Sequence, residues 1–156
     1  MKRYLKLILC LLIPLSIGGI SGIATASGLG SWFMALQKPF FNPPGFLFGP
    51  VWTALYLLMG ISLFRVIQEK SGPDKKAALF IFSVQMVLNF FWSFLFFKFH
   101  LLGFALIEII LLWLCIVLMI KRFRKLNRMT AYLQIPYLLW VSFASVLNAS
   151  IWWLNK

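Results

Sequence analysis

The residues of this chain that could do chemistry are few, and they sit among apolar neighbours. Gln85, Asn89 and Trp92 fall at i, i+4 and i+7, while Tyr137, Trp140, Ala144 and Asn148 follow at steps of three or four, with Trp152 one turn on. Each set lies along one face of a helix. Trp52 and Tyr56, at i and i+4, form a third such pair. Aromatic rings with a few hydrogen-bonding groups, converging from three helices, suit a pocket for a flat, mostly apolar molecule. Each type also has a plainer use. Asn and Gln in apolar helices hydrogen-bond across helix pairs, and Trp at a span end anchors at headgroup level, the expectation for Trp152 and Trp153.

Glu108 is the one carboxylate inside an apolar stretch. It could couple proton movement to transport, or be a carboxyl held among neighbours. His100 is the sole histidine and is expected at the membrane surface. An iron-bound tetrapyrrole would need His100, a Cys or a Tyr as axial ligand. His100 and both cysteines lie off the stripes, which hold only Tyr56 and Tyr137 of these candidates, so a metal-free tetrapyrrole is easier to accommodate. Cys10 and Cys115 lie in separate apolar segments without metal or redox spacing. P-loop, HExxH and GxSxG patterns are lacking, as is an acid pair. No metal site and no resident cofactor are expected.

The elements that must position these residues follow from composition. The chain is 62% hydrophobic and 12% charged, with mean hydropathy +0.93, far from a soluble domain. Its net charge of +12 would suggest nucleic acid in a soluble chain. Here the basic residues flank apolar runs and read as topology signals and anionic-lipid contacts. Crossing a hydrocarbon core takes roughly 20 mostly apolar residues, and five windows qualify: about 5–26, 46–67, 77–97, 101–120 and 130–153. Lys and Arg alternate across the segments they separate, as three, one, four, one, five and one. This predicts one all-α, five-helix membrane domain over residues 1–156, with the N-terminus in the cytoplasm and the C-terminus outside. Ala24-Thr25-Ala26 resembles a signal-peptidase site. The long apolar run, the Gly18, Gly22 and Ala26 face suited to helix packing and the charge alternation argue that the first span is retained. Pro136 is expected to bend the fifth helix.

The first connection, entering the second helix through Trp32, Phe41, Pro43 and Pro44, is too apolar to be left in water. It is expected to form a lid over a pocket open to the outer face, with Trp52 near the mouth and Trp140 deeper.

With these residues in view, the chain resembles the TspO/translocator-protein family, the tryptophan-rich sensory proteins that include the peripheral benzodiazepine receptor. The likeness rests on Trp32 with Leu36-Gln37-Lys38-Pro39 and Asn42-Pro43-Pro44; on Phe48-Gly49-Pro50-Val51-Trp52, Leu55-Tyr56 and Met59-Gly60; on Gln85, Leu88-Asn89 and Trp92; and on Pro136-Tyr137, Trp140, Phe143-Ala144, Leu147-Asn148 and Trp152. The resemblance implies a homodimeric five-helix bundle whose long first loop closes a pocket for porphyrins such as protoporphyrin IX and for benzodiazepine-type ligands. It implies pocket lining by Trp52, Tyr56, Gln85, Asn89, Trp140, Ala144 and Asn148. It also implies light-dependent porphyrin breakdown, at most slow, resting on Trp52 and Trp140 as the candidate catalytic pair. Phe41 stands where many members have Trp, and the sterol motif is incomplete, so sterol binding is not carried over. A membrane receptor for a tetrapyrrole is the first expectation, a proton-coupled transporter using Glu108 the alternative, and a lipid-interaction or assembly protein the third.

Overall fold

Apolar length decides the architecture. The computed structural model describes residues 2–156, and five of its helical segments are long and apolar enough to cross a membrane. Helix α1 spans Lys2–Gly28 and the short α2 Ser31–Ala35. A 3-10 turn, Gly45–Leu47, leads into α3, Phe48–Gln68. Helix α4, Pro73–Ser93, widens at its end into a π-turn, Phe94–Lys98. Helix α5 spans Leu102–Leu126, α6 Arg128–Tyr132 and α7 Ile135–Leu154. Several helices overrun the apolar windows because their flanking basic turns stay helical beyond the hydrocarbon, as where α5 carries Arg124 and Lys125 in its last turn, a placement the helix dipole favours.

The ends are set by local chemistry. Pro73 and Asp74 open α4, where a missing N–H costs nothing and an acid meets the positive end of the dipole. Lys75 Nζ reaches back to the Ile67 and Glu69 carbonyls at the end of α3. The Asn127 side chain accepts from the Met129 and Thr130 amides and caps α6. Pro136 does not bend a continuous helix, as its sequence context suggested. The span breaks at Leu133 and Gln134, and Pro136 sits in the first turn of α7, where its ring needs no N–H partner.

Helix α1 packs between α3 and α4, α4 against α5, and α5 against α6 and α7. The α1–α3 crossing brings backbone against backbone at Gly60, where a Cβ would come within 2.8 Å of the Cys10 carbonyl oxygen and Leu11 Cα. Only glycine fits there. Facing helices α3 and α7 are bridged by rings, Phe48 to Trp140 at 6.1 Å and Trp52 to Tyr137 at 6.2 Å between centroids. The connection from α1 to α3 descends along α7: Gln37 meets Asn155, Phe41 meets Phe143, and Phe48 meets Trp140. At 1.5 Å per residue the stretch of α7 from Trp140 to Asn155 is about 22 Å long, so α3 starts well below the level at which α7 ends.

Candidate functional site

A chain of hydrogen bonds ties three helices together at the centre of the bundle. The Tyr56 hydroxyl on α3 donates to Asn89 Oδ1 on α4 at 2.6 Å, Asn89 Nδ2 donates to the Tyr137 hydroxyl on α7 at 3.0 Å, and Tyr137 donates to Gln85 Oε1 at 2.9 Å. All four residues are buried. Gln85 Nε2, at the end of the chain, has no partner. One turn along α4, the Trp92 indole donates to Asn148 Oδ1 at 3.2 Å, and Asn148 Nδ2 donates to the Leu102 carbonyl at 3.0 Å. The amides therefore serve as interhelical ties, the plainer of the two uses their types suggested.

Aromatic rings lie above this network. Trp52 stacks on Tyr56 with centroids 5.5 Å apart and meets Tyr137 edge-on. Trp140 is held between Phe48 and Phe143, and Phe143 in turn meets Phe41 of the connection. This reverses the expected depth order of the two tryptophans. Helices α3 and α7 run in opposite senses, and Trp140 pairs with Phe48 in the first turn of α3 while Trp52 pairs with Tyr137 one turn further in. Counting from the end of α7 misled because that helix rises past the start of α3, beside the descending connection.

Two cavities border these rings. The larger, of about 460 Å³, opens between α1 and α3 and is lined by Gly18, Gly19, Ser21, Gly22, Thr25 and Ala26 on one side and by Phe46, Phe48, Trp52, Thr53 and Tyr56 on the other. Gly18 sets its floor: a Cβ there would fall 2.2 Å from the Tyr56 ring. Above it, Gly22 has nothing within 4 Å of where a Cβ would stand. The second cavity, inside the bundle among Phe33, Trp92, Trp140, Ala144, Leu147 and Asn148, measures about 20 Å³, room for about one water. Neither lining includes a charged residue. Among the described residues, the Trp140 indole N–H of the second lining stands without a partner.

Residues 10–154 match the model of the TspO/MBR family. The chain belongs to this family. It is 37% identical to the tryptophan-rich protein TspO of Chlorobaculum tepidum, over 99% of this chain and 98% of the relative. It is 33% identical to the translocator protein of Homo sapiens, over 88% of this chain and 83% of the relative. It is 34% identical to the tryptophan-rich sensory protein of Cereibacter sphaeroides, over 80% and 77% respectively. With five membrane-crossing helices, this TspO/MBR chain is an integral, multi-pass membrane protein.

The structure brings Trp52, Tyr56, Gln85, Asn89 and Tyr137 into one cluster and Trp92, Trp140, Ala144 and Asn148 into the one beside it. Phe41 reaches the second through Phe143. Trp32 stands one ring behind the second cluster, stacked at 3.8 Å on His100 and edge-on to Phe96, which lines the second cavity. Half-buried Pro43 and exposed Pro44 shape the turn into α3. Trp32, Pro43 and Pro44 border neither cavity. Glu108 is buried in α5 with both carboxyl oxygens unpartnered, and it too borders neither cavity. Sequence reasoning missed the α1 wall, since the four-residue spacing of Gly18, Gly22 and Ala26 signals close packing and open space equally. It also missed a buried tie beneath the α6–α7 break, where Gln134 Nε2 donates to Ser62 Oγ at 2.7 Å and Ser62 faces the Thr130 carbonyl.

Proposed function

We propose that this protein is a membrane receptor or sensor for a flat, largely apolar ligand of the tetrapyrrole class, protoporphyrin IX being the type, and that benzodiazepine-like molecules share the site. The observation that carries the proposal is the uncharged cavity of about 460 Å³ walled by the stacked Trp52 and Tyr56 rings, within the roughly 300–1,000 Å³ of small-molecule sites. Ring stacking offers a planar ligand dispersion and quadrupole contacts along its face. The smooth α1 wall of Gly18, Gly19 and Gly22 accommodates its opposite face. The closed cluster of Trp92, Trp140, Ala144 and Asn148 is the inner part of the same site, opened when the connection carrying Trp32, Phe41, Pro43 and Pro44 lifts as a lid. The names of the relatives, a tryptophan-rich sensory protein among them, support the sensing role.

The protein is proposed to act as one TspO-like domain over residues 1–156, as a homodimer in a bacterial cytoplasmic membrane, with its N-terminus inside and C-terminus outside. In light, the proposed step passes an electron from Trp52 or Trp140 to the excited porphyrin and on to dioxygen, forming superoxide beside the macrocycle; the indole radical cation takes its electron back from the porphyrin as it is oxidised, so dioxygen is the net oxidant of a slow breakdown. Protoporphyrin IX titrated into the detergent-solubilised protein, in dark and light, tests this through absorbance and indole fluorescence. Trp52→Phe is expected to weaken dark binding roughly tenfold, the equivalent of 1.4 kcal/mol, and Trp140→Phe to slow photobreakdown. Wild-type affinity and photobreakdown in both variants would refute the site. A second reading, proton-coupled transport, rests on the unpartnered Glu108 carboxyl. Substrate flux into vesicles that vanishes in Glu108→Gln would favour it.

A further inference from the structure

The connection between α1 and α3 makes aromatic contacts with the bundle, but its polar attachment is concentrated at one point. The Gln37 amide donates to Asn155 Oδ1 at 3.0 Å, and Asn155 Nδ2 donates to the Gln37 carbonyl at 2.9 Å. The Asn155 amide thus pairs with one backbone residue as a neighbouring strand would, satisfying its donor and its acceptor together. The second Nδ2 hydrogen reaches the Ile151 carbonyl at 2.7 Å, which fixes the side chain on the last turn of α7. Among the described residues these are the only hydrogen bonds from the connection to the helix it descends along. Its other polar contacts are internal, as where Lys38 Nζ reaches the Met34 and Leu36 carbonyls.

We infer that Asn155 is a latch: it positions the α1–α3 connection against α7 and sets how often the site beneath is exposed. The mechanical consequence follows from what the connection carries. Phe33 lines the closed inner cavity and Phe46 the larger one, and Phe41 leans on Phe143, the neighbour of Trp140. Releasing Gln37 therefore loosens walls of both cavities. The pair is solvent-exposed, so each bond has a modest net worth. Two such bonds together amount to about a tenfold change in an opening equilibrium. This strength suits a fastening that opens and recloses better than a permanent staple. Asn155 itself lines neither cavity; it meets their walls through the Gln37 connection and, on its own helix, through the backbone carbonyl of Ile151, which lines the inner cavity.

The inference rests on the proposed site for its functional half and on the connection alone for its mechanical half, and two measurements separate them. Amide hydrogen exchange on the ligand-free protein, read over residues 33–41, is expected to speed up about tenfold in Asn155→Ala. In Asn155→Asp it is expected to speed up less, because the carboxylate still accepts from the Gln37 amide while losing the donor to its carbonyl. Stopped-flow mixing with protoporphyrin IX is expected to show association and dissociation both faster by about the same factor in Asn155→Ala, with Kd within about threefold of wild type. A residue of merely structural importance would change Kd or thermal stability instead. Unchanged exchange in Asn155→Ala overturns the latch. Faster exchange with unchanged association and dissociation rates overturns its control of access. If the wild type binds no protoporphyrin IX, the proposed function fails, and exchange alone decides whether Asn155 holds the connection.

Discussion

The buried hydrogen-bond chain predicts an inequality between two substitutions that conventional accounting would rank together. Tyr137→Phe removes one oxygen but affects two neighbours: Asn89 Nδ2 loses its acceptor and Gln85 Oε1 its donor. Both groups are buried. An orphaned buried polar group costs about 1–3 kcal/mol, and interhelical bonds in bilayers average about 0.6 kcal/mol. Together these bracket the loss at about 2 kcal/mol. Gln85→Leu, a change of similar volume, also breaks the bond to Tyr137 but removes the unpartnered Nε2. One orphan is created and one removed, so the net change is expected within about 0.5 kcal/mol. For a chain of this length 1 kcal/mol corresponds to about 2–4 °C in Tm. Thermal unfolding in detergent should therefore place Tyr137→Phe about 4–8 °C below wild type and Gln85→Leu close to it. A Gln85→Leu protein as unstable as Tyr137→Phe, or a Tyr137→Phe protein that melts with wild type, would show that the chain does not run in the direction drawn here.

Glycine positions on α1 give a second contrast. Gly18→Ala is expected to lower Tm by several degrees, since its Cβ would overlap the Tyr56 ring and that ring is held by its hydroxyl on Asn89; overpacking of this kind costs about 1–3 kcal/mol. Gly22→Leu meets open space, so melting should hold while the side chain fills the cavity and weakens protoporphyrin IX binding by about tenfold or more, as read by fluorescence quenching. Glu108→Gln is expected to leave protoporphyrin IX affinity within about twofold of wild type, because Glu108 borders neither cavity; a large loss in the same titration would place the carboxyl in the site.

Much of the fold was legible because the membrane imposes coarse, repetitive demands. A run of 20 apolar residues leaves little choice but a spanning helix, and the stripes of Gln85 with Asn89 and of Tyr137 with Asn148 did meet across helices. Illegible features depended on relative height and on empty space. The depth of Trp52 against Trp140 turns on how far α7 overshoots α3, which no single helix records. The void beside Gly22 and the contact at Gly18 look alike in sequence, since both are glycines one turn apart on the same face. Pro136 suggested only a bend; the break appears once the capping of α6 by Asn127 and the tie of Gln134 to Ser62 give α6 and α7 separate anchors.

These features divide the bundle into a fixed part and a yielding part, and the boundary runs through Tyr56. Below it, α1 and α3 are locked at Gly60, where backbone meets backbone, and α3, α4 and α7 are tied through Tyr56, Asn89, Tyr137 and Gln85. Above it, α1 and α3 diverge around the larger cavity, rings rather than hydrogen bonds bridge α3 to α7, and the connection rests on contacts such as Phe41 on Phe143. Ring contacts can slide by an ångström at small cost, whereas breaking a buried hydrogen bond leaves two orphans. A ligand of the proposed kind, entering from above, would separate Phe48 from Trp140 and widen the inner cavity while the ties among Tyr56, Asn89, Tyr137 and Gln85 hold. Tyr56 belongs to both parts, its ring lining the cavity and its hydroxyl anchoring the network. It is the side chain through which occupancy of the cavity would be felt by the rest of the bundle.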